Sequence, residues 1–142
     1  MASSRSIPIV FIVDDDAAVR SALCLLVRSC GWIPVACSSG GDFFAALASA
    51  WPACIVVDPQ LPDIDGSMLQ REISRLNMNL PVIVITDYED HPKTSSAIID
   101  GAKAVIAKPF RGDELISAIA TLVSPPRLRS CSRAAPILHA YT

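Results

Sequence analysis

Residues Cys54 to Gly66 read C-I-V-V-D-P-Q-L-P-D-I-D-G. An apolar run ends abruptly in Asp58, and a loop of Pro, Asp and Gly follows. A short continuous apolar run bounded by turn residues fits a strand buried on both faces. Three further runs repeat the pattern. Ile9-Val10-Phe11-Ile12-Val13 ends in Asp14-Asp15-Asp16, Val82-Ile83-Val84-Ile85 ends in Thr86, and Ala104-Val105-Ile106-Ala107 ends in Lys108. In a parallel sheet these ends lie along one edge, so carboxylates, a hydroxyl and an ammonium converge there. Such an edge suits a divalent cation and a phosphoryl group.

Helical patterns fill the spaces between the runs. Val19, Leu23, Leu26, Val27 and Cys30 recur at helical spacing, and Gly31 follows where a helix end favours a left-handed residue. A short second strand lies near Ile33 to Ala36. Ser38 and Ser39 offer caps for a helix with Phe43, Phe44 and Leu47, ending before Pro52. A third helix turns Met68, Leu69, Ile73 and Leu76 inward. A fourth starts near Pro92 and ends at Gly101, the fifth strand runs from about Lys103 to Ala107, and a last helix carries Leu115, Ile116, Ile119 and Leu122. Strands alternating with helices over short loops predict a right-handed parallel α/β sheet covered on both faces. Ligands of such sheets sit outside the carboxyl ends of the strands.

Composition narrows the function. The chain has 142 residues, enough for one domain with a sizeable core. With 51% hydrophobic and 18% charged residues it reads as globular, not disordered. A net charge of −2, with the only basic cluster at Arg127, Arg129 and Arg133, argues against nonspecific nucleic-acid binding. Five cysteines without a C-x-x-C pair disfavour a disulfide framework or a zinc site and suit a reducing cytoplasm. No signal peptide or membrane-length run is evident. Residues 7–124 are expected to form the domain, and residues 125–142, opening on Pro125-Pro126, an extended or disordered tail.

Clustered carboxylates repel one another until a cation neutralises them. Oxygen donors with room for water suit Mg²⁺. Beside such an ion and Lys108, an aspartate can act as a nucleophile and form an acyl phosphate.

Four segments together resemble the receiver domain of two-component response regulators: Ile12 to Arg20, Val56 to Gly66, Val82 to Thr86, and Ala107 to Phe110. The similarity spans Ile9 to Val123 and is closest to receivers that precede helix-turn-helix output domains. It implies a five-stranded, flavodoxin-like three-layer sandwich with strand order 2-1-3-4-5. It also implies Asp58 as phosphoacceptor, Mg²⁺ held by Asp14, Asp15, Asp58 and the backbone carbonyl of Gln60, and Thr86 and Lys108 on the phosphoryl group. Lys108-Pro109 is a peptide that receivers often hold cis. The donor would be a sensor histidine kinase or a histidine phosphotransfer protein. Output would go to a protein partner through the fourth helix, fifth strand and fifth helix, without direct DNA binding, and the family admits homodimers. Nothing in the resemblance implies a metabolic enzyme.

Two positions depart from the family. Val105 stands where receivers commonly carry Tyr or Phe, and Asp87 follows Thr86 where Gly or Ala is common. Asp16 is expected to cap a helix, Asp63 and Asp65 to shape their loop, His91 and His139 to lie at the surface, and Trp32 and Trp51 to pack at helix ends. The leading expectation is a stand-alone phosphorylatable receiver. Its alternatives are a partner-binding module insensitive to phosphorylation, a small phosphatase or phosphotransferase, and the receiver portion of a longer DNA-binding regulator.

Overall fold

The computed structural model describes residues 7–64, 66–75, 80–87 and 101–123. The expected fourth helix, Asp65, Leu76, Glu89, Asp90, His91, the Asp87 side chain and the tail with Cys131 and His139 lie outside the described residues. The elements are β1 (Ile9–Val13), α1 (Ala17–Ser29), β2 (Ile33–Cys37), α2 (Gly40–Leu47), β3 (Cys54–Val57), α3 (Gly66–Arg75), β4 (Val82–Asp87), β5 (Ala104–Lys108) and a last helix, Gly112–Val123.

All five strands are parallel, in the order β2-β1-β3-β4-β5. This is the flavodoxin-like arrangement expected. The switch point falls at β1, whose neighbours β2 and β3 both follow it in the chain. Strand alternation divides the core in two. Val10, Ile12, Val56, Ile83, Ile85 and Ile106 face α1 and the last helix, while Phe11, Val13, Ile55, Val57, Val82 and Val84 face α2 and α3. Residues of both parities are buried along β1 and β3, which is why their sequences are continuously apolar rather than alternating.

Local chemistry sets the helix ends. Asp16 caps α1 by accepting from the amides of Ala18 at 2.9 Å and Val19 at 3.2 Å. At the other end Gly31, with φ +87°, closes a Schellman turn. Its amide donates to Arg28 O, and that of Trp32 to Val27 O. Ser39 caps α2 through its hydroxyl, which accepts from the Asp42 amide at 3.1 Å.

Four sequence expectations shift. Met68 is 47% exposed although Leu69 and Ile73 are buried: one residue's rotation, about 100°, carries it off their face. Trp32 is buried as expected, but Trp51 is 62% exposed. β5 begins one residue later than expected and includes Lys108 itself. Only Ile106 of its five residues is fully buried, since β5 lies at the edge of the described sheet.

Candidate functional site

Register places the charged residues before any side chain is considered. Val13 pairs with Val57, so Asp14 and Asp58 each come one residue beyond partners on adjacent strands. The Asp58 amide donates to Val13 O at 3.0 Å, fastening the two strand ends together. Continued alternation puts Asp14 after Ile12, Asp58 after Val56 and Lys108 after Ile106, all on the face of α1 and the last helix. The geometry follows that pattern. Lys108 Nζ lies 3.2 Å from Asp58 Oδ2, and both side chains are largely buried. The Gln60 amide donates to Asp58 Oδ1 at 2.9 Å, turning the chain sharply after the strand. The Lys108-Pro109 peptide is cis, as expected.

Asp14 is the most deeply placed of the carboxylates, at 2% exposure. Its Oδ1 accepts from the Asp16 amide at 2.9 Å, its own amide donates to Cys37 O at 3.0 Å, and its carbonyl accepts from Arg20 Nη1 at 2.7 Å. Burial pushes its carboxyl above the ordinary range. The Asp16 amide opposes that, the Asp58 charge adds to it, Lys108 opposes it, and Asp15 adds to it. Asp14, Asp15, Asp58 and Lys108 thus share one electrostatic neighbourhood. Asp15 is exposed, as is Gln60.

Thr86 is buried at 1% exposure, one position before the end of β4. It pairs in register with Ala107, and Asp87 with Lys108, so Thr86 stands one rung before the lysine on the adjacent strand. Val105 is 41% exposed on β5.

The donor set fits Mg²⁺. A buried carboxylate made hard to ionise by neighbouring carboxylates is the environment that a small, hard cation relieves. Among the described residues no three His, Cys, Asp or Glu side chains are grouped to enclose an ion. Asp14, Asp15 and Asp58 are thus not drawn into a closed cage in the metal-free protein; Mg²⁺, which keeps several waters, binds through as few as one or two carboxylates.

Two contacts near the site were not anticipated from sequence. Arg20 ties the first turn of α1 to the end of β1. Asp63, expected only to shape its own loop, reaches across to α2, where its two oxygens accept from the amides of Gly40 and Gly41, each at 2.9 Å. The pair Gly40-Gly41 beside Ser39 was the available signal: glycines at a helix start permit close approach by another segment.

Comparison with known proteins gives a consistent picture. The response regulator receiver domain family matches residues 10–120. Nodulation protein W of Bradyrhizobium diazoefficiens is 37% identical over 121 residues, covering 85% of this chain and 53% of that protein. Response regulator protein TodT of Pseudomonas putida is 37% identical over 123 residues, covering 86% of this chain and 54% of its own length. The chain therefore spans about half the length of these curated relatives. Full-length FixJ from B. japonicum superposes with a TM-score of 0.74 at 28% identity, over 91% of this chain and 61% of that one. The FixJ-N structure gives 0.71 at 28% identity, over 91% and 96%.

Proposed function

Because the chain belongs to the response regulator receiver domain family, a family of signalling modules, we propose that it accepts a phosphoryl group on Asp58 from a phosphohistidine. A carboxylate oxygen of Asp58 attacks phosphorus, the P–N bond breaks as the P–O bond forms, and the imidazole, already carrying a proton on its other ring nitrogen, leaves as the neutral base. The contact that carries this reading is Lys108 Nζ at 3.2 Å from Asp58 Oδ2, at the mouth of the Asp14 neighbourhood. Lys108 offsets charge on the incoming group, and the Thr86 hydroxyl donates to a phosphoryl oxygen once the acyl phosphate forms. Asp14, Asp15, Asp58 and the backbone carbonyl of Gln60 would hold Mg²⁺, which when bound supplies further charge neutralisation between carboxylates and phosphoryl oxygens.

On this reading residues 7–124 are the receiver and 125–142 a tail, working in the cytoplasm. The phosphodonor is a sensor histidine kinase or histidine phosphotransfer protein, and output passes by protein contact rather than by direct DNA binding. Among the described residues no helix is long and apolar enough to cross a membrane. The test is intact mass after incubation with Mg²⁺ and acetyl phosphate, for wild type and Asp58→Asn. Gain of one phosphoryl group by the wild type alone is expected. Equal labelling of both would overturn the assignment.

A second reading makes the chain the receiver portion of a longer regulator. Its support is the 53% and 54% coverage of the curated relatives. In that case the output contact is made to an attached DNA-binding segment. An immunoblot of the source cells with antibody to this chain separates the two by the size of the band.

A further inference from the structure

The turn between β2 and α2 touches both segments that carry the site's carboxylates. At its start, Cys37 O accepts the Asp14 amide at 3.0 Å. At its end, the Gly40 and Gly41 amides donate to Asp63 Oδ1 and Oδ2, both at 2.9 Å. Asp63 lies in the loop that begins with Asp58, and the Gln60 amide bonds the Asp58 carboxylate within that loop. Five residues, 37–41, therefore bridge the end of β1 to the loop after β3.

Close approach makes the bridge short. A Cβ on Gly40 would collide with the Ile64 side chain and lie 3.2 Å from Ile64 Cβ and 3.4 Å from Asp63 Oδ1. Only glycine lets the first turn of α2 sit this near the loop. Helix capping accounts for only part of what Asp63 does. Ser39 already accepts the Asp42 amide, while Asp42 accepts from the Ser38 amide at 3.0 Å and its hydroxyl at 2.7 Å. Gly41 and Asp63 are exposed, so water can serve the Gly41 amide, whereas Gly40 is buried and its amide relies on Asp63. What water cannot do is hold two segments of chain at a fixed separation. The two amides, acting first among the causes, keep the Asp63 carboxyl below the ordinary carboxylate range, so it is ionised and clamped at neutral pH.

We propose that Asp63 is a positioning residue for the Asp58 site, holding the 58–64 loop against the β2–α2 turn and so fixing the Gln60 carbonyl relative to the Asp58 and Asp14 carboxylates, which strand pairing already holds side by side. The inference rests on the reading of these carboxylates as a cation-binding pair. Without the clamp the Gln60 carbonyl and the Asp58 carboxylate sample more positions, and a small cation that needs near-ideal geometry loses affinity.

The experiment compares wild type, Asp63→Ala and Asp63→Asn in three measurements. These are amide hydrogen exchange at Gln60 without Mg²⁺, the Mg²⁺ dissociation constant by calorimetry, and the thermal midpoint without Mg²⁺. For Asp63→Ala, Gln60 exchange should quicken and Mg²⁺ affinity fall roughly tenfold. The Asp16 amide, bonded to Asp14, should keep its rate, and the thermal midpoint should fall by only a few degrees, about the cost of a lost helix cap. Asp63→Asn retains one acceptor oxygen and should fall between. Unchanged Gln60 exchange in Asp63→Ala overturns the proposal. So does faster exchange spread evenly over α1 and the last helix, which would mean a general loss of stability. If wild type binds no Mg²⁺, the cation reading fails, and Gln60 exchange still decides the clamp.

Discussion

Lys108 Nζ and Asp58 Oδ2 lie 3.2 Å apart although fifty residues of sequence separate them. The pair joins the ends of β3 and β5, which are not neighbours in the sheet, across β4. Its side chains are 16% and 15% exposed, so water still reaches both partners. Lys108→Met should therefore destabilise the fold by about 1–3 kcal/mol, between the surface-pair and buried-pair ranges. Its effect on chemistry should show separately. Loss of one preorganised positive group from a phosphoryl site costs on the order of a hundredfold in rate. Urea unfolding and the rate of labelling by acetyl phosphate, measured on the same protein, check the two halves. A rate within twofold of wild type would remove Lys108 from the site.

Asp14 should oppose stability in the metal-free protein. Burial first, with Asp58 and Asp15 adding, raises its carboxyl pKa above the unfolded value of 3.8, so the folded state binds the proton more tightly than the unfolded state does. The penalty is absent below the unfolded pKa and fully present above the folded one, so stability falls as pH rises through that window. Asp14→Asn keeps an acceptor oxygen for the Asp16 amide and should raise the thermal midpoint at neutral pH by a few degrees. Added Mg²⁺ should reverse the order, stabilising wild type in proportion to the logarithm of its concentration and leaving the variant unmoved. Midpoints against pH and Mg²⁺ concentration test this. A variant that responds to Mg²⁺ as wild type does would exclude Asp14 as a ligand.

Strand-end chemistry was legible in sequence because each buried strand must be continuously apolar. The first polar residue after the run therefore marks the sheet's edge, as at Asp14, Asp58 and Thr86. The α1 ends were legible for a local reason: Asp16 and Gly31 make their bonds within a few residues. The Asp63 clamp has no such signature, since its partners lie 22 and 23 positions away and an Asp in a Pro-Gly loop is ordinary turn chemistry. Met68 was misplaced because a run of two apolar residues, Met68-Leu69, leaves the phase of the helix ambiguous by one position. The exposure of Val105 depends on β5 being an edge strand, and strand order cannot be read from the strand itself.

The cysteines should separate by accessibility. Burial pushes the Cys54 thiol up to about 12 and, with help from the Asp42 charge, that of Cys37 up to about 11. Both are then almost wholly protonated at pH 8, and the thiolate is the reactive form. Cys24 is half-buried; burial raises its pKa, but the Arg28 and Arg20 charges oppose the rise. Among the four described cysteines, native alkylation at pH 8 followed by peptide mapping should find Cys24 modified first and Cys54 last. In urea all should react alike. Early labelling of Cys54 in the native protein would contradict the closed packing of β3 between its neighbours.

Intrinsic fluorescence should be nearly blind to the site. Trp32 immediately precedes β2, and Trp51 lies just before β3, so both tryptophans stand at the amino edge of the sheet. Asp14, Asp58 and Lys108 stand at the carboxyl edge. A five-residue strand at about 3.3 Å per residue separates the two edges by roughly 16 Å. Quenching by a bound ion or an acyl phosphate needs closer contact than that, and Trp32 is packed in the core while Trp51 faces solvent. Mg²⁺ and acetyl phosphate should thus shift tryptophan emission by only a few percent while calorimetry and mass report full binding and labelling. Moving the reporter should restore the signal: Gln60→Trp places an indole beside Asp58 at an exposed position and leaves the backbone amide free to bond Asp58 Oδ1. A large Mg²⁺-dependent change in wild-type emission, matching the calorimetric titration, would instead mean that the cation's effect crosses the whole sheet.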